Sequence, residues 1–334
     1  MRPRRGLTAA AVALAAAAGL TAANAPQHHA CSPHVSIDRF SDALDKTTYQ
    51  GTFVGNFSGL AVDRDGSLAA VSDRSALFTL NARTQAPSSV VPLADENGAA
   101  LDSEGLAVEP DGTRLISTEG EPAVRRYDFA GRLLGRLPVP DALRVAPAGR
   151  GTANGTFEGL TRHRGGLLAA MEYALTGDSD GIVRFQTWRR HKGTYALSAQ
   201  YAYRTDTGLG VPEVQSLPDG RLLVLERGFT SGVGNTVRLY LADPRRATDT
   251  SAVPYLTGQP GVRLIRKSLL ADIADCPDLG ATAKQPQPNP LLDNIEAMTI
   301  TGRTRSGTLK LLLASDDNQN PSQTTRLYWL RVRV

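Results

Sequence analysis

The stretch Ser103-Glu104-Gly105-Leu106-Ala107-Val108-Glu109-Pro110-Asp111-Gly112-Thr113-Arg114-Leu115-Ile116-Ser117-Thr118-Glu119 decides the fold. Two short apolar runs flank an Asp-Gly turn, which is a hairpin signal. A glutamate stands near each outer end. Register in a hairpin is counted outward from its turn, so Glu104 and Glu119 face each other across the strand pair. The pattern recurs four more times. First strands begin at Ser58 (SGLAV), Glu158 (EGLTR), Glu213 (EVQSL) and Glu296 (EAMTI). Returning strands end at Asp73 (AVSDR), Glu172 (AAMEY), Glu226 (LVLER) and Asp316 (LLASDD). The turns fall at Asp65-Gly66, Gly165, Asp219-Gly220 and Ser306-Gly307. Asp65, Asp111 and Asp219 read as turn residues rather than ligands. Nine carboxylates and one hydroxyl thus collect on one edge of the repeat.

The hairpin starts are 46, 54, 55 and 83 residues apart. Such periods, with about four short strands in each, are the signature of a β-propeller. Further strand material follows every hairpin, which fills five blades. The 83-residue interval leaves room for a sixth. The fold class is therefore all-β, with five visible blades and an acidic ring at one mouth of the central channel. The propeller covers 55–334. The segment 26–54 carries a strand able to close the ring. Gly59, Gly105 and Gly159 either relieve crowding near the channel axis or let a ligand approach the backbone.

Residues 1–25 read as a signal peptide: a basic start, an apolar run from Leu7 to Leu20, and Ala23-Asn24-Ala25 as a cleavage pattern. Cleavage near Ala23 is the alternative, because Pro26 follows Ala25. The formal net charge is +4. Removing three leader arginines and no acids leaves about +1 by subtraction, so the basicity belongs largely to the leader. No basic stripe with interleaved aromatics points to nucleic acid, and no later apolar run is long enough for a membrane span. The expected location is secreted or extracytoplasmic. Export makes a Cys31–Cys276 disulfide plausible, two free thiols being the alternative.

Two carboxylates ~6 Å apart repel by roughly 3 kcal/mol at an effective dielectric near 20. A ring of them needs raised pKa values or a cation. Ligands of Ser, Asp and Glu oxygen favour a hard cation, and a wide ring suits Ca2+ better than Mg2+. Zinc is disfavoured because His28, His29, His34, His163 and His191 all lie outside the ring positions. The expected metal ligands are Ser58, Glu104, Glu158, Glu213 and Glu296, with Asp73, Glu226, Asp316 and Asp317 outside them. Arg74, Arg227 and Lys267 are placed to hold a phosphate beside the cation. No G-x-S-x-G elbow and no P-loop is present.

Several segments together resemble the phytase-like family, named for the "esterase-like activity of phytase". They are Phe57-Ser58-Gly59-Leu60 with Ser72-Asp73-Arg74, Ser103-Glu104-Gly105-Leu106, Phe157-Glu158-Gly159-Leu160 and Glu226-Arg227-Gly228. The most specific is Asp293-Asn294-Ile295-Glu296-Ala297-Met298 followed by Ser315-Asp316-Asp317-Asn318, where Ala297 replaces the family's usual glycine. The pattern is also similar to that of calcium-activated nucleotidases, five-bladed propellers with a Ser/Glu ring around a calcium. The resemblance implies phosphoester hydrolysis. The expected function is an exported calcium-dependent phosphoesterase acting on a small, phosphorylated substrate. Glu119 or Glu172 would be general base, Arg74 and Arg227 the phosphate clamp, and Asp316, Asp317 and Asn318 part of the cation's shell or of a second metal. Two alternatives stay open: a non-catalytic binding propeller with structural calcium, and a calcium-dependent lactonase or esterase.

Overall fold

A computed structural model describes residues 29–334; the expected signal peptide lies outside the described residues. After β1 (Val35–Ser41) a small hairpin, β2 (Thr47–Tyr49) and β3 (Thr52–Val54), leads into the first blade. Blade one is β4 (Phe57–Val62), β5 (Leu68–Ser72), β6 (Ala76–Leu80) and β7 (Pro87–Pro92). Blade two is β8 (Ser103–Val108), β9 (Arg114–Thr118), β10 (Ala123–Tyr127) and β11 (Leu133–Arg136). Blade three is β12 (Phe157–His163), β13 (Gly166–Met171), β14 (Ile182–His191) and β15 (Thr194–Arg204). Blade four is β16 (Gly210–Ser216), β17 (Leu222–Thr230), β18 (Gly234–Asp243) and β19 (Arg266–Asp272). Blade five is β20 (Ile295–Arg303), β21 (Leu309–Ser315) and β22 (Leu327–Val332), completed by β1. The chain is a five-bladed β-propeller. Among the described residues the long interval before Glu296 holds β19, two 3-10 turns and loops, and no sixth blade.

The turns set the hairpins. At Asp63–Ser67 the Gly66 amide donates to Asp63 O and the Asp63 amide to Ser67 O, with Gly66 at φ +83°. This is a type I turn followed by a left-handed bulge residue, a position glycine occupies at no steric cost. The same bonds recur around Gly112, Gly220 and Gly307. Asp65, Asp111 and Asp219 use their carboxylates to accept backbone amides two residues on, as turn residues do.

The second strand of a blade is buried on both faces and divides its side chains between two interfaces. In β5, Ala70 packs toward blade five, whereas Ala69 and Val71 pack toward blade two. In β13, Leu167, Ala169 and Met171 face blade two, and Leu168 and Ala170 face blade four. Five apolar clusters result, one at each junction between successive blades. This division is why the strands read as continuous apolar runs rather than alternating ones. A buried ring such as that of Phe57 or Phe157 contributes roughly 2–3 kcal/mol at such a junction.

Closure comes from the N-terminal segment: β1 pairs antiparallel with β22, Val35 opposite Val332. Cys31 and Cys276 form a disulfide that fastens the residues before β1 to the loop after β19. Arg326, almost fully buried, donates to Asp42, to Thr282 O and to Pro290 O, and so ties that loop to blade five.

Candidate metal centre at the channel mouth

All five inner strands carry a register irregularity at their first residues, between Phe57 and Gly59, Ser103 and Leu106, Phe157 and Leu160, Gly210 and Glu213, and Ile295 and Ala297. A bulge re-aims a side chain. Here it turns Ser58, Glu104, Glu158 and Glu296 into a cavity of about 410 Å³ at the mouth. The returning strands deliver Asp73, Glu119, Glu172 and Asp316 to the same space. Arg74, Arg227 and Asn318 line it as well, together with Asp102, Asn154 and Tyr173.

The glycines beside the ring serve close packing. A Cβ at Gly59 would lie 2.4 Å from Glu104 O, one at Gly105 2.5 Å from Glu158 O, and one at Gly159 2.6 Å from the Val214 amide nitrogen. Crowding of neighbouring inner strands, not a ligand, excludes a side chain there.

Blade four departs from the expected ring. Ser58 and Glu104 each stand eight residues before their turn glycine (66 minus 58, 112 minus 104), and Asp73 and Glu119 seven after it (73 minus 66, 119 minus 112). The same offsets from Gly220 land on Pro212 and Arg227, not on Glu213 and Glu226. Glu213 therefore takes the position that glycine or Ala297 holds in the other blades. It is fully buried, outside the mouth lining, and its Oε1 accepts the amides of Leu160 at 3.2 Å and Val214 at 2.8 Å. Glu226 lies on the opposite side of its strand. It accepts the Tyr203 hydroxyl at 2.6 Å, the Asp206 amide at 2.8 Å and Lys267 Nζ at 2.5 Å. Lys267 is thereby committed to Glu226 and Asp206, away from the mouth. Asp317 also points away: its carboxylate takes Lys46 Nζ and the Asn56 amide. Asp316 and Asp317 follow the end of β21, and there the chain sends Asp316 to the mouth and Asp317 to Lys46 and Asn56.

Eight carboxylates line the mouth (Asp73, Asp102, Glu104, Glu119, Glu158, Glu172, Glu296 and Asp316) against two guanidiniums. Burial, reinforced by neighbouring carboxylates, pushes Glu104, Glu158 and Asp316 well above the ordinary range. Burial lifts Asp73 to about 6. Burial, then Glu172 and Asp102, lift Glu119 to about 8. Glu172 is lifted to about 7 by burial, with Arg227 opposing the shift. Arg227 Nη2 is 2.5 Å from Glu296 Oε1 and 3.5 Å from Glu172 Oε1. Asn294 Nδ2 donates to Glu296 at 3.0 Å, Asn56 Nδ2 to Asp73 at 2.9 Å, and the Asn318 amide to Asp316 at 2.7 Å.

Donor atoms fit a hard cation. Oxygens of Glu119, Glu158 and Glu172 lie within 4.8 Å of one another, as do those of Asp102, Glu104 and Glu119. Among the described residues the buried Ser58 Oγ and Glu119 Oε1 have no hydrogen-bond partner. Histidine is absent from the lining. Unpartnered oxygens amid surplus carboxylates are what a multivalent, oxygen-seeking ion would satisfy.

The description "Phytase-like: Esterase-like activity of phytase" matches residues 52–319. The chain belongs to this family. The phytase-like match spans every mouth residue named above. No curated protein matches the chain. Among solved structures, a gluconolactonase from Xanthomonas campestris is 15% identical over 85% of this chain and 73% of its own, with a TM-score of 0.41. A glutaminyl cyclase from Myxococcus xanthus is 12% identical over 90% of this chain and 97% of its own, TM-score 0.44. The PQQ-bound aldose sugar dehydrogenase from Streptomyces coelicolor is 12% identical over 90% and 98%, TM-score 0.43.

Three lining residues of the phytase-like mouth escaped the sequence reading as site members. Asp102 precedes β8 and Asn154 sits in the loop before β12, so neither has a strand period to reveal it. Tyr173 directly follows Glu172, and only its loop geometry brings it to the cavity.

Proposed function

We propose that this phytase-like propeller is an exported, calcium-dependent hydrolase of phosphoesters that works at the channel mouth. The observation that carries the reading is the meeting of eight carboxylates and two arginines in one cavity. Ser58, Glu104, Glu158 and Glu296, with Asp73 and Asp316 beside them, are the residues that would hold calcium. When bound, the cation would supply Lewis acidity toward a phosphoryl oxygen and an acidified water.

The chain's own groups have separable tasks. Arg74 is largely exposed at the rim, with its Nε 3.5 Å from Asp73, and is free to reach an incoming phosphate. Arg227 is held by Glu296 and Glu172, so its charge is fixed in place before substrate arrives. Among the described residues Glu119 Oε1 has no hydrogen-bond partner, and an oxygen of Glu119 lies within 4.8 Å of oxygens of Glu158 and Glu172. It is the group we assign to take the proton of the attacking water, its burial raising its basicity toward neutral pH. The Cys31–Cys276 bridge suits an oxidising compartment and supports export.

The test is substrate profiling of the purified protein, stripped on a chelating resin and reconstituted with calcium. Calcium-restored hydrolysis of aryl and alkyl phosphoesters is expected, with lactones inert. Lactone turnover alone would replace the phosphoesterase reading. Equal rates with and without metal, or no turnover of any ester under any divalent ion, would end it.

A further inference from the structure

At the opposite end of the strands from the mouth, blades two, three and four enclose a second cavity of about 530 Å³. Glu158 and Arg164 are six residues apart (164 minus 158), roughly 20 Å at ~3.3 Å per residue. The two cavities therefore open on different faces. Arg162, Arg164 and Arg190 line this one, with Glu109, Tyr195 and Ser216.

Its cationic groups are organised from beneath. Glu109 is only 1% exposed. Its carboxylate pairs with Arg190 at 2.9 Å and Arg126 at 3.3 Å, and accepts the Tyr195 hydroxyl at 3.0 Å. A single buried acid thus fixes two guanidiniums and leaves a surplus positive charge. Arg162 and Arg164 flank the buried His163, whose Nδ1 is 2.8 Å from Ser216 Oγ. Arg164 occupies the left-handed region at φ +47° in the turn between β12 and β13. Its guanidinium lies across the neighbouring turn, where a Cβ at Gly220 would come within 2.5 Å of Arg164 Nε. Among the described residues neither Arg162 nor Arg164 pairs with a carboxylate, in contrast to Arg126 and Arg190. Counting Asp111, which feels Arg190 and Arg126, four guanidiniums oppose two carboxylates for a local charge of +2.

Forked donors with free N–H groups, held at separate points around a pocket larger than one phosphate, suit an anion with several oxygens. We propose that this far-face pocket is a binding site for the phosphoryl or pyrophosphoryl group of a small soluble compound, separate from the mouth.

Titration calorimetry with inorganic pyrophosphate tests it, on full-length protein stripped of metal by resin, in 150 mM NaCl. Under these conditions the acidic mouth repels the probe. One saturable site is expected, weakened at least tenfold in the double variant Arg162→Gln/Arg164→Gln at unchanged melting temperature. The mouth variant Glu104→Gln should bind as the parent does. No saturable heat, equal binding by the double variant, or loss of binding in Glu104→Gln would each overturn the proposal.

Discussion

Replacing Arg227 with methionine keeps most of the side chain's volume and removes the positive charge buried among the mouth acids. The guanidinium is 2.5 Å from Glu296 and 3.5 Å from Glu172, and its side chain is only 16% exposed. Unit charges about 4 Å apart at an effective dielectric near 20 interact by ~4 kcal/mol. Breaking one partner of a buried pair costs roughly 3–5 kcal/mol. Proton uptake by Glu296 and Glu172, both already raised by burial, relieves part of this. The metal-free variant should therefore lose about 3 kcal/mol at pH 8, which for a domain of this size is roughly 5–10 °C in melting temperature. Millimolar calcium should recover most of the loss, because a cation at the mouth replaces the missing charge. Differential scanning calorimetry with and without calcium reads both effects. A metal-free melting temperature within 1 °C of the parent, or a deficit that calcium widens, would refute the view of Arg227 as internal charge compensation.

Four other outcomes follow from the same geometry. The metal-free protein should melt progressively lower as pH rises from about 4 to about 8: Asp73, Glu172 and Glu119 have folded pKa values near 6, 7 and 8, so the folded state holds more protons than the unfolded chain and the stabilisation is lost through that window. A thermal-shift profile that is flat or rising across it would contradict this. Glu158→Gln should weaken calcium binding at least tenfold by calorimetry while raising the melting temperature of the metal-free protein at alkaline pH, where the parent's buried carboxyl is forced to ionise in a crowded set. Glu213→Ala should cost about 1–3 kcal/mol, by leaving the Leu160 and Val214 amides unpaired, yet leave calcium affinity unchanged, which separates it from the ring. Cys276→Ser should lower stability by up to ~5 kcal/mol, the loop-entropy limit for a link spanning 245 residues, with urea midpoints as the measure.

The propeller was legible because its turns are written in the sequence. Asp65-Gly66, Asp111-Gly112 and Asp219-Gly220 each impose a left-handed glycine, and the strands on either side divide their apolar residues between two junctions. Blade four was misread because acids stand next to the true positions: Glu213 beside Pro212, and Glu226 beside Arg227. Composition cannot separate neighbours that point to opposite faces, whereas counting from the turn glycine can. That count shifts in blade three, where Glu158 stands seven before Gly165 (165 minus 158), and fails in blade five, where a second irregularity between Ile300 and Gly302 lengthens the hairpin; there Glu296 and Asp316 are legible as the ends of a hairpin centred on Ser306-Gly307. Asp102 and Asn154 belong to loops, whose course no period encodes.

The exchange in blade four explains how the mouth can persist without collapsing under its own charge. Four blades direct an acid from the returning strand, and the fourth in sequence directs Arg227. Its proline partner, Pro212, contributes neither a charge nor a backbone donor. The positive charge therefore enters from one side of the ring and engages Glu296 and Glu172, on the blades to either side of its own. Glu104, Glu158 and Glu119 lie beyond its hydrogen bonds, and Glu119 keeps an unpartnered oxygen. The less compensated half of the mouth is thus the half formed by blades two and three, which contains the whole Asp102, Glu104 and Glu119 grouping and, of the second grouping, Glu119 and Glu158, with Glu172 shared with Arg227. A cation placed there would leave Arg227 and Arg74 on the remaining side, an asymmetry that sets metal and phosphate clamp opposite one another across a single opening.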